Sequence, residues 1–281
     1  MSCEERKLIV LSPVLTTRCN LRCNYCGYGC SSKNSNFDAD PKKVIKGFAH
    51  LHSLREKYKG DYEIGLGLLG GEPLLYPHLI EVMTYVHDHL PLFNRDLVTN
   101  GLMAPKMSNK LIDAILVNDY QLDISRYNLP NYDYDKLGRY LTSLGIKWHF
   151  IHTSMQDLDV KQIPDTQAWF HHHHYKLNSR VYPEGWTAAD CRVFLKGMAC
   201  VPLWEDKLYT CSNVWEVQNM QWSDKLHMDI PIVKGKDLFD ITYFKSIEDI
   251  LAVLNTKYAF CNHCMGADLV PWSTNIKVKS I

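Results

Sequence analysis

Between Lys7 and His152, short apolar runs alternate with stretches whose apolar residues recur every three or four positions. Leu8-Ile9-Val10-Leu11-Ser12-Pro13-Val14-Leu15 reads as a strand buried on both faces. Asp40 then caps a helix with Pro41 at its first position, and Val44, Ile45, Phe48, Leu51, Leu54 and Tyr58 mark its buried side. A second strand is expected at Glu63 to Leu69, and Leu79, Val82, Met83, Val86 and Leu90 mark a second amphipathic helix. The series continues with a strand at Asp96 to Thr99 and a helix over 107–117, then a strand at Tyr120 to Ser125 and a helix over 133–143. A further strand follows at Lys147 to His152.

This alternation predicts an α/β fold, a parallel sheet with right-handed crossovers, open or partly closed into a (β/α) barrel. In such folds ligands gather at the carboxyl ends of the strands. The loops after Leu15, Leu69, Thr99, Ser125 and His152 should therefore converge on one site. The pattern weakens after about residue 153, and from Cys191 onward cysteines, tryptophans and short strand-like pieces replace it. The expected division is a partial-barrel domain over 1–180 and a smaller cysteine-rich α+β region over 181–281.

With 46% hydrophobic residues in 281, the chain can bury a sizeable core without disulfides. Its basic and acidic side chains balance at 31 each, which argues against an extended nucleic-acid track but leaves a locally bound nucleotide open. No run of eighteen uncharged apolar residues suggests a membrane span, and the charged start Met-Ser-Cys-Glu-Glu-Arg-Lys is unlike a signal peptide, so a cytoplasmic protein is expected. In that reducing compartment the ten cysteines read as ligands or reactive groups.

Directly after the first strand, Thr17-Arg18-Cys19-Asn20-Leu21-Arg22-Cys23-Asn24-Tyr25-Cys26 gives the spacing Cys-x3-Cys-x2-Cys. Three thiolates on one loop can hold three irons of a 4Fe-4S cube and leave the fourth open for a ligand. An open position distinguishes a working metal site from a purely structural one. The arrangement resembles the signature of the radical S-adenosylmethionine superfamily, including the aromatic Tyr25 before the third cysteine. The resemblance covers roughly the first 155 residues. Gly70-Gly71-Glu72-Pro73, after the second strand, matches that family's motif for the cofactor's methionyl amino group. Thr99-Asn100-Gly101 and Ser125-Arg126, after the third and fourth strands, stand where the family places contacts to the cofactor's ribose and carboxylate.

A second set comprises Cys191, Cys200, Cys211, Cys261 and Cys264, and Cys261-Asn262-His263-Cys264 makes a two-ligand clip for zinc or an iron-sulfur cluster. The segment Cys200 to Cys211 resembles the strand-turn-strand that opens the superfamily's auxiliary-cluster domains, called SPASM or, when shortened, twitch. Asp206 stands near the place of the usual turn glycine. The cysteines are too few for two auxiliary clusters. The resemblance implies one, held by Cys200, Cys211, Cys261 and Cys264, with Cys191 as the alternative to Cys200.

What the resemblance implies is reductive cleavage of S-adenosylmethionine to a 5'-deoxyadenosyl radical that abstracts hydrogen from a substrate, with a flavodoxin or ferredoxin as external electron donor. The outcome is either oxidation or cross-linking, with the substrate electron passing to the auxiliary cluster, or isomerisation or epimerisation, with hydrogen returned by Cys30 or Cys191. The substrate class is a small metabolite, nucleotide derivative or peptide. The competing reading is a non-catalytic zinc- or iron-sulfur-binding interaction module. His171-His172-His173-His174 reads as a surface or substrate-facing loop.

Overall fold

The computed structural model describes residues 7–24, 26, 28–30, 36–57, 62–92, 94–127, 129, 132–151, 169–175, 198–222, 230–254, 256 and 258–271. The expected alternation is present as β1 (Lys7–Thr16), α1 (Pro41–Lys57), β2 (Tyr62–Gly70), α2 (Leu79–His89), β3 (Arg95–Thr99), α3 (Asn109–Val117), β4 (Gln121–Ser125), α4 (Tyr134–Ser143) and β5 (Trp148–Ile151). Asp40 caps α1 as expected, its Oδ1 accepting from the Lys42 amide at 3.0 Å. Ser108 and Asp133 cap α3 and α4 in the same manner.

Beyond these lie β6 (Trp169–Tyr175), β7 (Met198–Trp204), β8 (Lys207–Tyr209), α5 (Ser212–Trp222), β9 (Leu238–Asp240), α6 (Ile247–Leu254) and β10 (Cys264–Pro271). The main sheet has the order β5-β4-β3-β2-β1-β7-β8-β9. Strands β5 through β7 in that order are parallel, while β8 and β9 run antiparallel to their neighbours on the far edge. The cysteine-bearing region thus extends the sheet of the amino-terminal half, with Cys200 of β7 opposite Val10 of β1. The four histidines 171–174 lie in β6, which pairs antiparallel with β10 and is a strand where a loop was expected.

Every crossover from β1 to β5 steps one strand in the same direction, so right-handed connections place α1 to α4 on one face of the sheet. Beneath them Leu66, Leu68, Leu97, Leu122 and Ile124 are fully buried. The other face carries Gly67, Asp96, Gln121, Asp123 and His149, linked strand to strand by register. Among the described residues no helix is long and apolar enough to cross a membrane.

The β7–β8 hairpin turns at Glu205 and Asp206, and Glu205, rather than Asp206, takes the left-handed conformation that usually favours glycine (φ 57°). Its carboxylate accepts from the Asp40 amide at 3.1 Å and pairs with Lys43 at 2.9 Å. Those contacts against α1 offset the backbone strain.

Candidate active site

The loop after β1 is clamped at its base. Thr16 Oγ1 donates to Asp38 Oδ1 at 2.7 Å, and the Arg18 guanidinium pairs with Asp38 at 2.9 Å while donating to the Leu75 carbonyl at 2.6 Å. From this base the chain carries Cys19 and Cys26, half-buried, and Cys23, buried. Burial chiefly, then the Glu72 carboxylate and the neighbouring Cys26 and Cys23, push the Cys19 thiol well above its usual range. Metal binding at such thiols therefore has to release protons. Two donors face the Cys19 sulfur, the Leu21 amide at 3.4 Å and Asn100 Nδ2 at 3.8 Å.

The two glycines of the Gly-Gly-Glu-Pro turn press against this loop. The Gly71 amide donates to the Thr16 carbonyl at 2.7 Å and the Glu72 amide to the Arg18 carbonyl at 2.8 Å. A Cβ on Gly71 would stand 2.1 Å from the Arg18 oxygen, and one on Gly70, whose φ is +137°, 2.4 Å from the Thr16 oxygen. The close approach that glycine permits here is backbone to backbone, between the second strand's turn and the base of the cysteine loop.

Glu72 is fully buried, and its carboxylate accepts from Thr99 Oγ1 at 2.7 Å, the Asn100 amide at 3.0 Å and the Leu74 amide at 3.2 Å. It therefore ties the turn after β2 to the Thr99-Asn100-Gly101 loop after β3. Asn100, which the resemblance relates to the cofactor ribose, donates from Nδ2 to Asn20 Oδ1 at 2.7 Å and accepts the Leu102 amide on Oδ1 at 3.0 Å. The structure thus brings Cys19, Gly70, Gly71, Glu72, Pro73, Thr99 and Asn100 together at the carboxyl ends of β1, β2 and β3. Asn20 and Asp38 belong to the same assembly. Their signal in the sequence is only that of a polar residue beside a motif.

After β4, Ser125 is buried and Arg126 exposed, its guanidinium 5.3 Å from the Phe150 ring. Tyr127 reaches back toward the loop. Its phenol engages the Ser125 side chain, and burial first, then Cys23 and Cys26, raise its pKa. Cys30 is 4% exposed. Tyr25, Cys191 and His152 lie outside the described residues.

The carboxyl-terminal set is assembled by two polar side chains. Asn213 donates its amide to Cys211 Sγ at 3.4 Å and its Nδ2 to Cys264 Sγ at 3.7 Å. Asp237 is fully buried and accepts from the Phe260 amide at 2.7 Å and the Val233 amide at 2.9 Å, while its carbonyl accepts from the Thr210 amide at 3.0 Å. It thereby binds the residue before Cys211 to the residue before Cys261. Cys200 is placed on β7, where its neighbour on β1 is Val10 rather than another cysteine. Asp237→Asn puts an N–H against one of these amides and should lower stability by about 2 kcal/mol, read as a shift in denaturant midpoint. An unchanged midpoint would remove Asp237 from this role.

Two buried carboxyls shape the pH response. Burial raises Glu72 from 4.5 to about 7 against the pull of its three hydrogen bonds. Burial and then the neighbouring Asp123 raise Asp96 from 3.8 to about 7. Both hold protons more tightly folded than unfolded, so stability is highest below about pH 4.5 for these groups and is lost as pH rises toward 7. For Glu72 the loss is of order 3 kcal/mol. The urea midpoint of the cluster-free protein should therefore rise when pH falls from 7 to 5. A fall over that interval would contradict the burial cost assigned to Glu72 and Asp96.

Among the described residues no three Cys, His, Asp or Glu side chains are close enough to share a single metal ion. The amino-terminal donor set fits an iron-sulfur cluster in its chemistry: three thiols on one loop, one with N–H groups directed at its sulfur.

No protein-family model matches the chain. It is similar to GTP 3',8-cyclase of Nautilia profundicola, 31% identical over 110 residues, which span 39% of this chain and 33% of that protein. GTP 3',8-cyclase of Sulfurovum sp. is 31% identical over 100 residues, or 36% of this chain and 29% of the relative. The chain thus spans about a third of the length of the curated relatives it matches. Among solved structures, BtrN in complex with AdoMet and 2-DOIA aligns over 84% of this chain and 85% of that one, with 14% identity and a TM-score of 0.44. Native anSMEcpe with bound AdoMet aligns over 51% of this chain and 43% of that one, with 18% identity and a TM-score of 0.39. The three-cysteine loop locked against its Gly-Gly-Glu turn at the ends of parallel strands, together with these sequence relatives, supports placing the chain in the radical S-adenosylmethionine superfamily.

Proposed function

We propose that Cys19, Cys23 and Cys26 hold a 4Fe-4S cluster whose open iron takes S-adenosylmethionine, and that the enzyme abstracts hydrogen from an organic substrate. When bound, the cluster supplies one electron to the cofactor, whose cleavage to methionine gives the 5'-deoxyadenosyl radical. The observation that carries this reading is Glu72. Buried and triply hydrogen-bonded, it couples the Gly-Gly-Glu-Pro turn to the Thr99-Asn100 loop, whose Asn100 faces the Cys19 sulfur.

The chain's own residues then have distinct tasks. Arg18 and Asp38 hold the base of the cysteine loop, and Leu21 and Asn100 donate toward the Cys19 sulfur, which favours the reduced cluster by offsetting its negative charge. Carbonyls of the Gly70-Gly71 turn would accept from the cofactor's ammonium, and Ser125 and Arg126 would contact its ribose or carboxylate. Tyr127 covers the thiols and helps to exclude water.

Residues 181–281 form a twitch-like region with an auxiliary 4Fe-4S cluster at Cys211, Cys261, Cys264 and either Cys200 or Cys191. Helix α5 supports the oxidative outcome. It starts immediately after Cys211 and carries Asn219, whose Nδ2 donates to the Tyr28 carbonyl in the amino-terminal loop. Eight residues of α-helix span about 12 Å, so α5 links the cysteine-bearing end at Cys211 to the amino-terminal loop at Tyr28, and in the oxidative outcome the second cluster would take the substrate electron. Trp215, four residues from each, anchors the helix by stacking on Trp204 at 4.9 Å. The substrate is a small metabolite, nucleotide derivative or peptide, and a cytoplasmic flavodoxin or ferredoxin is the electron donor.

The test is anaerobic reconstitution with iron and sulfide, followed by dithionite and S-adenosylmethionine. About eight irons per chain and release of 5'-deoxyadenosine are expected. Bound zinc with no cofactor cleavage would overturn the reading, and about four irons with cleavage would overturn the auxiliary cluster alone.

A further inference from the structure

The amino-terminal loop holds a fourth thiol, Cys30, that is not among the proposed cluster ligands. The chain turns after Cys26, where the Gly29 amide donates to the Cys26 carbonyl at 2.8 Å and Gly29 takes a left-handed φ of +65°. This turn brings Cys30 back beside Cys26, the neighbour with the largest influence on the Cys30 thiol. The Cys30 thiol also donates to the Tyr28 carbonyl at 3.6 Å, the same carbonyl that receives Asn219 of α5. A Cβ on Gly29 would meet the Asn219 amide at 2.6 Å, so the turn is pinned from outside as well as from within. Cys30 is 4% exposed, whereas Cys26 is only half-buried.

We propose that Cys26 and Cys30 form a reversible disulfide in the cluster-free protein, which makes the pair a modification site for oxidised low-molecular-weight thiols of the glutathione disulfide class. The more accessible Cys26 attacks the external disulfide, forms a mixed disulfide and releases one thiol. Cys30, already beside it, then displaces the second thiol. The balance is two protein thiols and one external disulfide converted to one protein disulfide and two external thiols. The pair's two electrons go to the external disulfide and its two protons to the released thiols. The disulfide withdraws one of the three cluster ligands, so iron loading of the loop waits on its reduction. That consequence rests on the radical-enzyme reading, whereas the disulfide itself does not.

The experiment uses the full-length, cluster-free protein incubated with glutathione disulfide, alkylated, and digested with trypsin without reduction. Cleavage after Arg22 and Lys33 places Cys23, Cys26 and Cys30 on one peptide and Cys19 on another. The expected product is the 23–33 peptide with an internal disulfide and a single alkyl group on Cys23, with Cys19 alkylated. Dithiothreitol before alkylation should restore three labels. A Cys19-linked peptide, a label on Cys26 or Cys30 in the dominant product, or full alkylation would overturn the proposal.

In a second arm, Cys30→Ser given the same pretreatment lacks the resolving thiol and should keep one glutathione on Cys26, whereas pretreated wild type keeps none and loads about four fewer irons per chain than untreated wild type. Serine still donates to the Tyr28 carbonyl, and wild-type peptide mapping decides the matter even if the variant folds poorly. An expected disulfide with unequal iron loading but no cofactor cleavage would leave the modification site standing and sink the radical reading. Cleavage without the disulfide would do the reverse.

Discussion

Alanine at Cys19, Cys23 and Cys26 together should reduce 5'-deoxyadenosine formation to the level seen without protein, while iron falls from about eight to about four per chain. The three side chains sit on one loop, and the loop's base is held by groups other than the thiols, namely Thr16, Arg18, Asp38 and the Gly71 and Glu72 amides. The substitutions therefore remove ligands without removing the clamp. The carboxyl-terminal site, built on Asn213 and Asp237, should keep its iron and serve as the control for folding. Residual cofactor cleavage well above background would mean that the reaction belongs to other residues.

Gly71→Ala should have the second large effect. Its added carbon would stand 2.1 Å from the Arg18 oxygen and 2.7 Å from the Arg18 carbonyl carbon, both backbone atoms that no side-chain rotation can move. The two segments have to separate, which breaks the 2.7 Å and 2.8 Å bonds from Gly71 and Glu72 and uncouples the turn from the cysteine loop. A loss of about 3 kcal/mol or more is expected, with iron at the amino-terminal loop lost before the rest of the chain unfolds. Gly145→Ala is the matched comparison. It has a left-handed φ of +76° but nothing nearer than 4.0 Å, so its cost should be only the conformational one of about 1 kcal/mol. Equal losses in thermal or denaturant stability would show that close approach at Gly71 is not what the position requires.

The first five strands and four helices were legible because their signals are local. The spacing of Val44, Phe48, Leu51 and Leu54 is a helix period, and all four residues are buried on α1. The pairing of β7 with β1 left no such trace. Pro13 in β1 even reads as an edge signal, since proline cannot donate to a ladder. Yet β1 lies between β2 and β7, with Pro13 opposite Leu203 and a register irregularity between Val14 and Thr16 on the β2 side.

The site shows the same division. The motif cysteines stood out by their spacing, and the Gly-Gly-Glu-Pro turn and the Thr-Asn-Gly loop by their resemblance to the superfamily's motifs at the expected strand ends. That Glu72 joins the last two, and that Asn100 faces Cys19, depends on side chains 27 and 81 residues apart in sequence meeting across strands. Asp237 was illegible for a related reason. An acidic residue in a Lys-Gly-Lys-Asp turn looks solvated, and only the fold shows it buried between Thr210 and Phe260.

The central claim is that the three-cysteine loop carries a cluster with one iron open to S-adenosylmethionine. Its most direct measurement is the electron paramagnetic resonance spectrum of the reduced, reconstituted protein before and after S-adenosylmethionine is added, using a variant with Cys211, Cys261 and Cys264 replaced so that only the amino-terminal cluster contributes. A cluster signal whose g values shift on addition of the cofactor is predicted. A cluster signal indifferent to the cofactor, or no iron at the loop at all, would contradict it.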